Sequence, residues 1–237
     1  MRNSASFLLR DLRLALKRPR LLMRPRWVLK KVVAEWHFER ENTTELQFVL
    51  SLTGASREDT LSYWRESEGV PWPLLYVMVR VSKPDIVVDS GVHRGRSSFS
   101  ILQALAENDQ GSLYSVELGG GKKIDTYGQT YHTLADDEIG SLVPAGLRNR
   151  WHLILGDARE ELPVLLSALG AIDVFFHDSL HTEEHMMFEY ETAWPYLRKD
   201  GYLLSDDISF SFREFASRVN KPYICTGNIP RFGGIRK

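Results

Sequence analysis

A chain of 237 residues is long enough for one α/β domain with an extension, and 43% hydrophobic with 26% charged residues is ordinary for a globular protein. The single cysteine, Cys225, excludes an intrachain disulfide and a cysteine zinc cluster; the N-terminus lacks a long uncharged apolar run, which argues against a secretory signal or membrane span and for a cytoplasmic location. The net charge of −1 hides an asymmetry: residues 1–31 carry ten Lys or Arg against Asp11 alone, a balance of +9, which leaves −10 for the remainder.

In that basic segment Phe7, Leu8, Leu12, Ala15 and Leu16 fit one helical face, while Pro19 and Pro25 limit a single long helix. The arm suits a helix packed on its own domain or on a second copy, with peripheral contact to an anionic membrane surface as the alternative. No aromatic-basic platform follows it, so nucleic acid is not expected as a partner. Residues 42–80 read as helices, with Asn42-x-x-Glu45 and Ser56-x-x-Asp59 as capping boxes. Trp64, Trp72, Leu74, Leu75, Tyr76 and Val79 read as core, and the helices are placed to cover one end of a ligand cleft.

The organising stretch comes next. Ile86-Val87-Val88 is a β-branched run suited to a buried parallel strand, Gly91 and Gly95 follow, and Phe99 to Ala106 has helical periodicity. Strand, glycine turn and helix form the first unit of a Rossmann-like nucleotide site, in which backbone N–H groups at the helix start face the ligand. The glycine spacing is not the Gly-x-Gly-x-x-Gly of dinucleotide enzymes, which counts against a nicotinamide oxidoreductase. Asp89 at the strand end suits a cationic ligand, such as the amino group and sulfonium of S-adenosylmethionine. A second strand, Leu113–Val116, ends at Glu117, where an acid accepts from ribose hydroxyls.

Residues 118–150 exceed a simple connection and read as a mobile flap, with Asp136-Asp137-Glu138 as a solvated helix start. Trp151–Leu155 is a third strand; Asp157 after it is either an adenine contact or the cap of a helix over 159–169. A fourth strand, Ile172–His177, runs into Asp178-Ser-Leu-His181 and a helix over Thr182–Leu197. A turn at Lys199-Asp-Gly leads to a fifth strand ending at Asp206-Asp207; a helix over Phe210–Val219 and two strands, Pro222–Cys225 and Phe232–Ile235, complete the chain.

Parallel strands bring their C-terminal ends to one edge, so Asp89, Glu117, Asp157, Asp178, Asp206 and Asp207 converge there. So many acids call for cations. Asp178, Asp206 and Asp207 offer oxygen ligands to a hard ion of the Mg²⁺ kind, which would lower the pKa of a substrate hydroxyl. His181 is placed as the proton acceptor; His177 should point to the opposite side of its strand, and His185 reads as structural. The run His181-Thr-Glu-Glu-His185 departs from the zinc-protease His-Glu-x-x-His, because its glutamate is displaced and no third ligand is evident.

Val88 to Ser97, Glu117, Gly156-Asp157, Phe176 to His181 and Leu197 to Asp207 together resemble the class I S-adenosylmethionine-dependent methyltransferases. Within that class the chain is similar to the metal-dependent O-methyltransferases of the catechol and macrocin type, over about residues 84–210. The resemblance implies an α/β fold: a Rossmann-like sheet of seven strands, the last antiparallel, with helices on both faces and an N-terminal helical extension. The implied organisation is a basic helical arm at 1–40, a helical cap region at 41–83 and a cofactor-binding methyltransferase domain at 84–237. By resemblance Asp89, Gly91, Gly95 and Ser97 meet the methionine end of S-adenosyl-L-methionine, Glu117 the ribose, and Asp157 with Ala158 the adenine. Asp178, Asp206 and Asp207 match the metal positions, and His181 stands where the catechol enzymes have a catalytic lysine. Asp200-Gly201 replaces their commoner Gly-Gly turn. The implied reaction is methyl transfer to a hydroxyl oxygen of a small molecule or glycan, assisted by a divalent metal. The rival reading is a non-catalytic S-adenosylmethionine-binding scaffold that docks a partner through its basic arm.

Overall fold

The computed structural model describes residues 43–121, 123–126, 129–226 and 232–237. The basic arm expected at 1–40 and the cap expected at Asn42 lie outside the described residues. Three helices come first: α1 (Thr43–Thr53), α2 (Arg57–Glu66) and α3 (Pro73–Ser82). Ser56 caps α2 by accepting from the Asp59 N–H at 3.0 Å, and its hydroxyl donates to the Asp59 carboxylate at 2.7 Å. The acid therefore holds the cap's hydroxyl, where a capping box would hold its N–H. In α3, Pro73 starts the helix and Leu74 through Val79 are all buried. The residues read as core are core: α3 shares one hydrophobic cluster with the sheet, and Trp64 and Trp72 pack against that cluster.

The sheet then begins with β1 (Ile86–Ser90), α4 (Arg96–Asn108) and β2 (Ser112–Glu117). A hairpin follows, β3 (Lys123–Thr126) and β4 (Gln129–His132), and a short 3-10 turn (Ala145–Arg150) leads into β5 (Trp151–Leu155). The rest is α5 (Ala158–Leu169), β6 (Ile172–His177), α6 (Glu183–Ala193), β7 (Leu197–Ser205), α7 (Phe210–Arg218), β8 (Tyr223–Cys225) and β9 (Gly233–Arg236). Seven strands form one sheet in the order β5-β2-β1-β6-β7-β9-β8. The first five are parallel, and β9 runs antiparallel to both β7 and β8. The order reverses at β1, whose neighbours are β2 and β6, so a crevice opens above the ends of these strands.

Period-2 alternation splits the core between the two faces. Val87, Val174, Phe176 and Leu204 pack with α1, α3 and α4; Val88, Phe175 and Leu203 pack with α5, α6 and α7. Each such aliphatic or aromatic side chain contributes roughly 1.5–3 kcal/mol relative to exposure, which is why strands buried on both faces read as unbroken apolar runs.

Three details differ from the sequence reading. The segment after Glu117 contains the β3–β4 hairpin, unread because its four-residue strands are polar. The helix from Thr182 stops at Ala193, because Trp194-Pro195 opens a 3-10 turn (Trp194–Tyr196); proline cannot donate the next helical hydrogen bond. Strand β7 starts at Leu197, before the turn, with Asp200 at φ 66 in a register shift between Ile172 and Val174 of its neighbour. Among the described residues no helix is long and apolar enough to cross a membrane.

Candidate active site

The glycine turn is held by three neighbours. Gly91 has φ 94, and a Cβ there would lie 2.1 Å from the Asp178 carbonyl oxygen. Its N–H donates to Val116 O at 3.0 Å, while Asp178 N donates to Ser90 O at 2.8 Å. Only glycine lets the exit of β1 run this close to the exit of β6. Glu117, at the end of β2, braces the turn: its Oε2 accepts from Val92 N at 2.6 Å and His93 N at 2.7 Å. Gly95, at φ 87, caps α4 at its start, and its Cβ position is closed off by Val143 and Gly140. Ser97 is buried in the first turn of α4, where the leading N–H groups have no partner within the helix.

The residues that close off Gly95 belong to the second half of the long connection at 118–150, where a mobile flap was expected. Gly140 N donates to His93 O at 2.9 Å, Leu142 N to Arg94 O at 2.9 Å, and Arg94 pairs with Glu138 at 3.0 Å. Asp136 accepts from Gly120 N at 2.6 Å. The second half of the connection is a strap on the glycine turn, and Asp136 opens a hydrogen-bonded turn where a helix was expected.

Asp89 is fully buried. Its Oδ2 accepts from the Ser98 hydroxyl at 3.1 Å, and its Oδ1 has no partner among the described residues. Burial raises its pKa to about 7, against the opposing pull of the Ser115 and Ser98 hydroxyls. Asp157 caps α5 by accepting from Arg159 N at 2.9 Å, with Ala158 buried beside it. Asp157 is thus the cap of this helix, one of the two roles its place suggested.

The acids of β6 and β7 form the chemical centre. Asp178, His181 and Asp206 each bring one ligand atom to within 4.8 Å of the other two. Asp206 N donates to His177 O at 3.0 Å, which fixes the β7 exit against that of β6. Asp207, expected in this set, is exposed with φ 47 and is not part of it. Burial pushes Asp178 up to about 9, reinforced by Asp206, Asp89, Asp207 and Glu117. Asp206 is raised to about 6 by burial and then by Asp207. Burial, and after it His177, lowers the pKa of His181, which keeps its imidazole neutral near pH 7. Its Nε2 is buried without a partner among the described residues.

Behind this centre lies a network the sequence reading did not contain. Glu189 on α6 is fully buried, and its Oε1 accepts from Ser90 at 2.6 Å, Ser179 at 2.8 Å and His185 Nε2 at 2.9 Å. Its Oε2 accepts from His177 Nδ1 at 2.6 Å. Despite burial, the two histidines hold Glu189 well below the usual carboxylate range. His177 does point away from Asp178 as expected, toward α6, and His185 is structural; yet the His177 ring lies edge-on to His181 at 5.2 Å. The available signal was Glu189 itself, an acid one turn after His185 beside the apolar Met186, Tyr190 and Ala193.

Residues 88–208 match a family described as a methyltransferase domain. Among curated proteins none matches this sequence. Several solved structures share the fold. An O-methyltransferase from Bacillus cereus, in complex with SAH, is 12% identical with a TM-score of 0.52, covering 86% of this chain and 97% of that one. The calicheamicin methyltransferase CalS11 is 17% identical with a TM-score of 0.53, covering 83% and 93%. Cofactor-bound Rv0187 from MTB is 14% identical with a TM-score of 0.53, covering 87% and 96%.

Proposed function

Given that the chain belongs to the methyltransferase-domain family, we propose that it is an S-adenosylmethionine-dependent O-methyltransferase acting on a hydroxyl of a small molecule or glycan. The observation that carries this reading is the placement of a glycine turn, braced by Glu117, directly against the half-buried Asp178, which His181 and Asp206 join in one cluster of ligand atoms. Solved relatives in fold include a protein named an O-methyltransferase and bound to SAH, and CalS11, also described as a TDP-rhamnose 3'-O-methyltransferase.

In this reading Asp89, Gly91, Gly95 and Ser97 surround the methionine end of the cofactor. Glu117 uses Oε2 for the turn and presents Oε1, which accepts no hydrogen bond among the described residues, to the ribose hydroxyls. Asp157 and Ala158 border the adenine. Residues 84–237 form the methyltransferase domain, with 41–83 as a helical cap region and 1–40 as a basic arm for contact with a second copy or an anionic surface. S-adenosylmethionine held by these residues would supply a sulfonium-bound methyl group for the acceptor oxygen, whose proton would pass to solvent.

A divalent metal fits the donors present, since carboxylate oxygens of Asp178 and Asp206 lie close enough together to share one ion. Asp178 and Asp206 would hold it, and when bound it supplies a Lewis acid that eases ionisation of the acceptor hydroxyl. The chain's own share is positional: the strap at 138–143 holds the turn, the backbone of Asp178 is tied to Ser90, and that of Asp206 to His177. Fixed alignment of oxygen, carbon and sulfur is where much of the rate gain arises.

Calorimetric titration of S-adenosylmethionine and SAH into the full chain tests the reading. Micromolar binding by the native protein, lost on Glu117→Ala, is expected; absence of binding by the native protein overturns it.

A further inference from the structure

We propose that His181 is a metal ligand, not the proton acceptor, and that Asp178, His181 and Asp206 form a site selective for a first-row transition dication such as Mn²⁺ over Mg²⁺. The assignment rests on the methyltransferase reading of this edge only for the metal's place in the reaction.

Three observations support it. Donors on one ion at about 2.0–2.2 Å lie at most about 4.4 Å apart. The three ligand atoms already sit within 4.8 Å of one another, so small side-chain movements close the set. Next, His181 Nε2 is buried and unpartnered among the described residues. Buried polar atoms are nearly always paired, and here the adjacent carboxylates are the groups within reach of a shared ion. The fully buried His177, whose Nδ1 is held by Glu189, lies edge-on to the His181 ring at 5.2 Å and leaves its own Nε2 unpartnered as well. Finally, Asp207 is exposed and outside the set. The third donor is thus a nitrogen in place of an oxygen.

Imidazole is a ligand of the first-row transition dications, among which Mn²⁺ binds nitrogen donors most weakly, whereas Mg²⁺ is a hard ion that takes oxygen donors. Two carboxylates with a neutral imidazole carry −2, which balances a dication. With its lone pair on the metal, His181 has none left for a proton.

Chelator-treated full-length protein is titrated with MnCl₂ and with MgCl₂ by calorimetry, in the absence of S-adenosylmethionine. Mn²⁺ is expected to bind at least about 10-fold more tightly than Mg²⁺. His181→Asn, which substitutes an oxygen donor, should bring the two affinities close to parity while Mg²⁺ still binds; Asp207→Ala should leave the ratio unchanged. Equal affinities in the native protein, or an unchanged ratio in His181→Asn, overturn the proposal. Electron spin-echo spectroscopy of the native Mn²⁺ protein needs no variant: modulation from a directly bound imidazole nitrogen supports the assignment, and its absence refutes it. Because S-adenosylmethionine binding is measured separately, loss of the cofactor reading and loss of the ligand assignment give different results.

Discussion

Glu189 is fully buried and Asp178 half-buried, and the protein pushes them in opposite directions. Glu189 is enclosed by two histidines and two serine hydroxyls and is held strongly acidic. Asp178 is enclosed by Asp206, Asp89, Asp207 and Glu117 and is raised to about 9. Burial disfavours the charge on each; what differs is the company each keeps. A buried acid supplied with donors is part of the scaffold. An acid supplied with more acids is held protonated well above the usual carboxylate range. The two are joined through Ser179, which follows Asp178 in the chain and donates to Glu189, so the satisfied group holds the unsatisfied one in place.

Removing Glu189 breaks this contrast most severely. Glu189→Leu strands two histidines and two hydroxyls in the interior and should cost about 3–5 kcal/mol in urea unfolding; a loss under about 1 kcal/mol would mean the network is not closed in solution.

Metal addition sharpens the comparison from the other side. A carboxyl whose folded pKa lies above its unfolded value binds more protons when folded, so its contribution is full below about pH 4 and is lost as pH rises toward about 9. Glu189, shifted the other way, contributes above its unfolded value of 4.5 and loses that contribution only in acid. Metal-free protein should therefore show a Tm that declines between pH 5 and pH 8 in buffer scans, because the folded chain retains a proton on Asp178 that the unfolded chain has released. A dication at about a hundred times its Kd should restore about 2.7 kcal/mol, with the larger gain at pH 8. A Tm gain that shrinks with rising pH would contradict the charge assignment.

Gly91→Ala tests the close approach that joins the glycine turn to Asp178. Both φ 94 and the 2.1 Å clash with Asp178 O act against alanine, with an expected loss of about 1–3 kcal/mol and a weaker Mn²⁺ affinity in the same calorimeter. The smallest effect belongs to Phe210, the first residue of α7 and 70% exposed three residues beyond Asp207. Ser211 N donates to Glu183 at 2.7 Å, and the Ser209 hydroxyl lies 3.6 Å from the sulfur of Met186, so Phe210 is presented outward from a fixed turn. Phe210→Ala should change stability by less than about 0.5 kcal/mol and raise the acceptor KM with kcat little altered.

The sheet was legible because its strands are buried on both faces and their β-branched runs end in glycine or acid, as at Val88-Asp89 and Phe176-His177-Asp178. The acids of the C-terminal edge were legible because a parallel sheet gathers strand ends whatever the side chains do. Asp207 and the strap were not. One residue in the left-handed region turns Asp207 out of the set that its neighbour Asp206 joins, and nothing in an Asp-Asp pair announces which will turn. The strap at 138–143 is built from backbone hydrogen bonds to His93 and Arg94, which leave no mark on composition. Glu189 was missed for a related reason: its partners are spread over 99 positions of sequence and meet only after β1, β6 and α6 have packed.

The same strap carries a consequence for the history of such a chain. The hairpin β3–β4 leaves the sheet between two tied points, Gly121 N on Leu134 O below it and Gly140 N on His93 O beyond. Insertions and deletions within the hairpin would be absorbed before they reached the glycine turn, and closing a longer loop costs only about 0.6 kcal/mol per doubling of its length. The hairpin is thus a replaceable module on a fixed socket. Variants with a longer or shorter hairpin should therefore keep the residues at the sheet's edge in place.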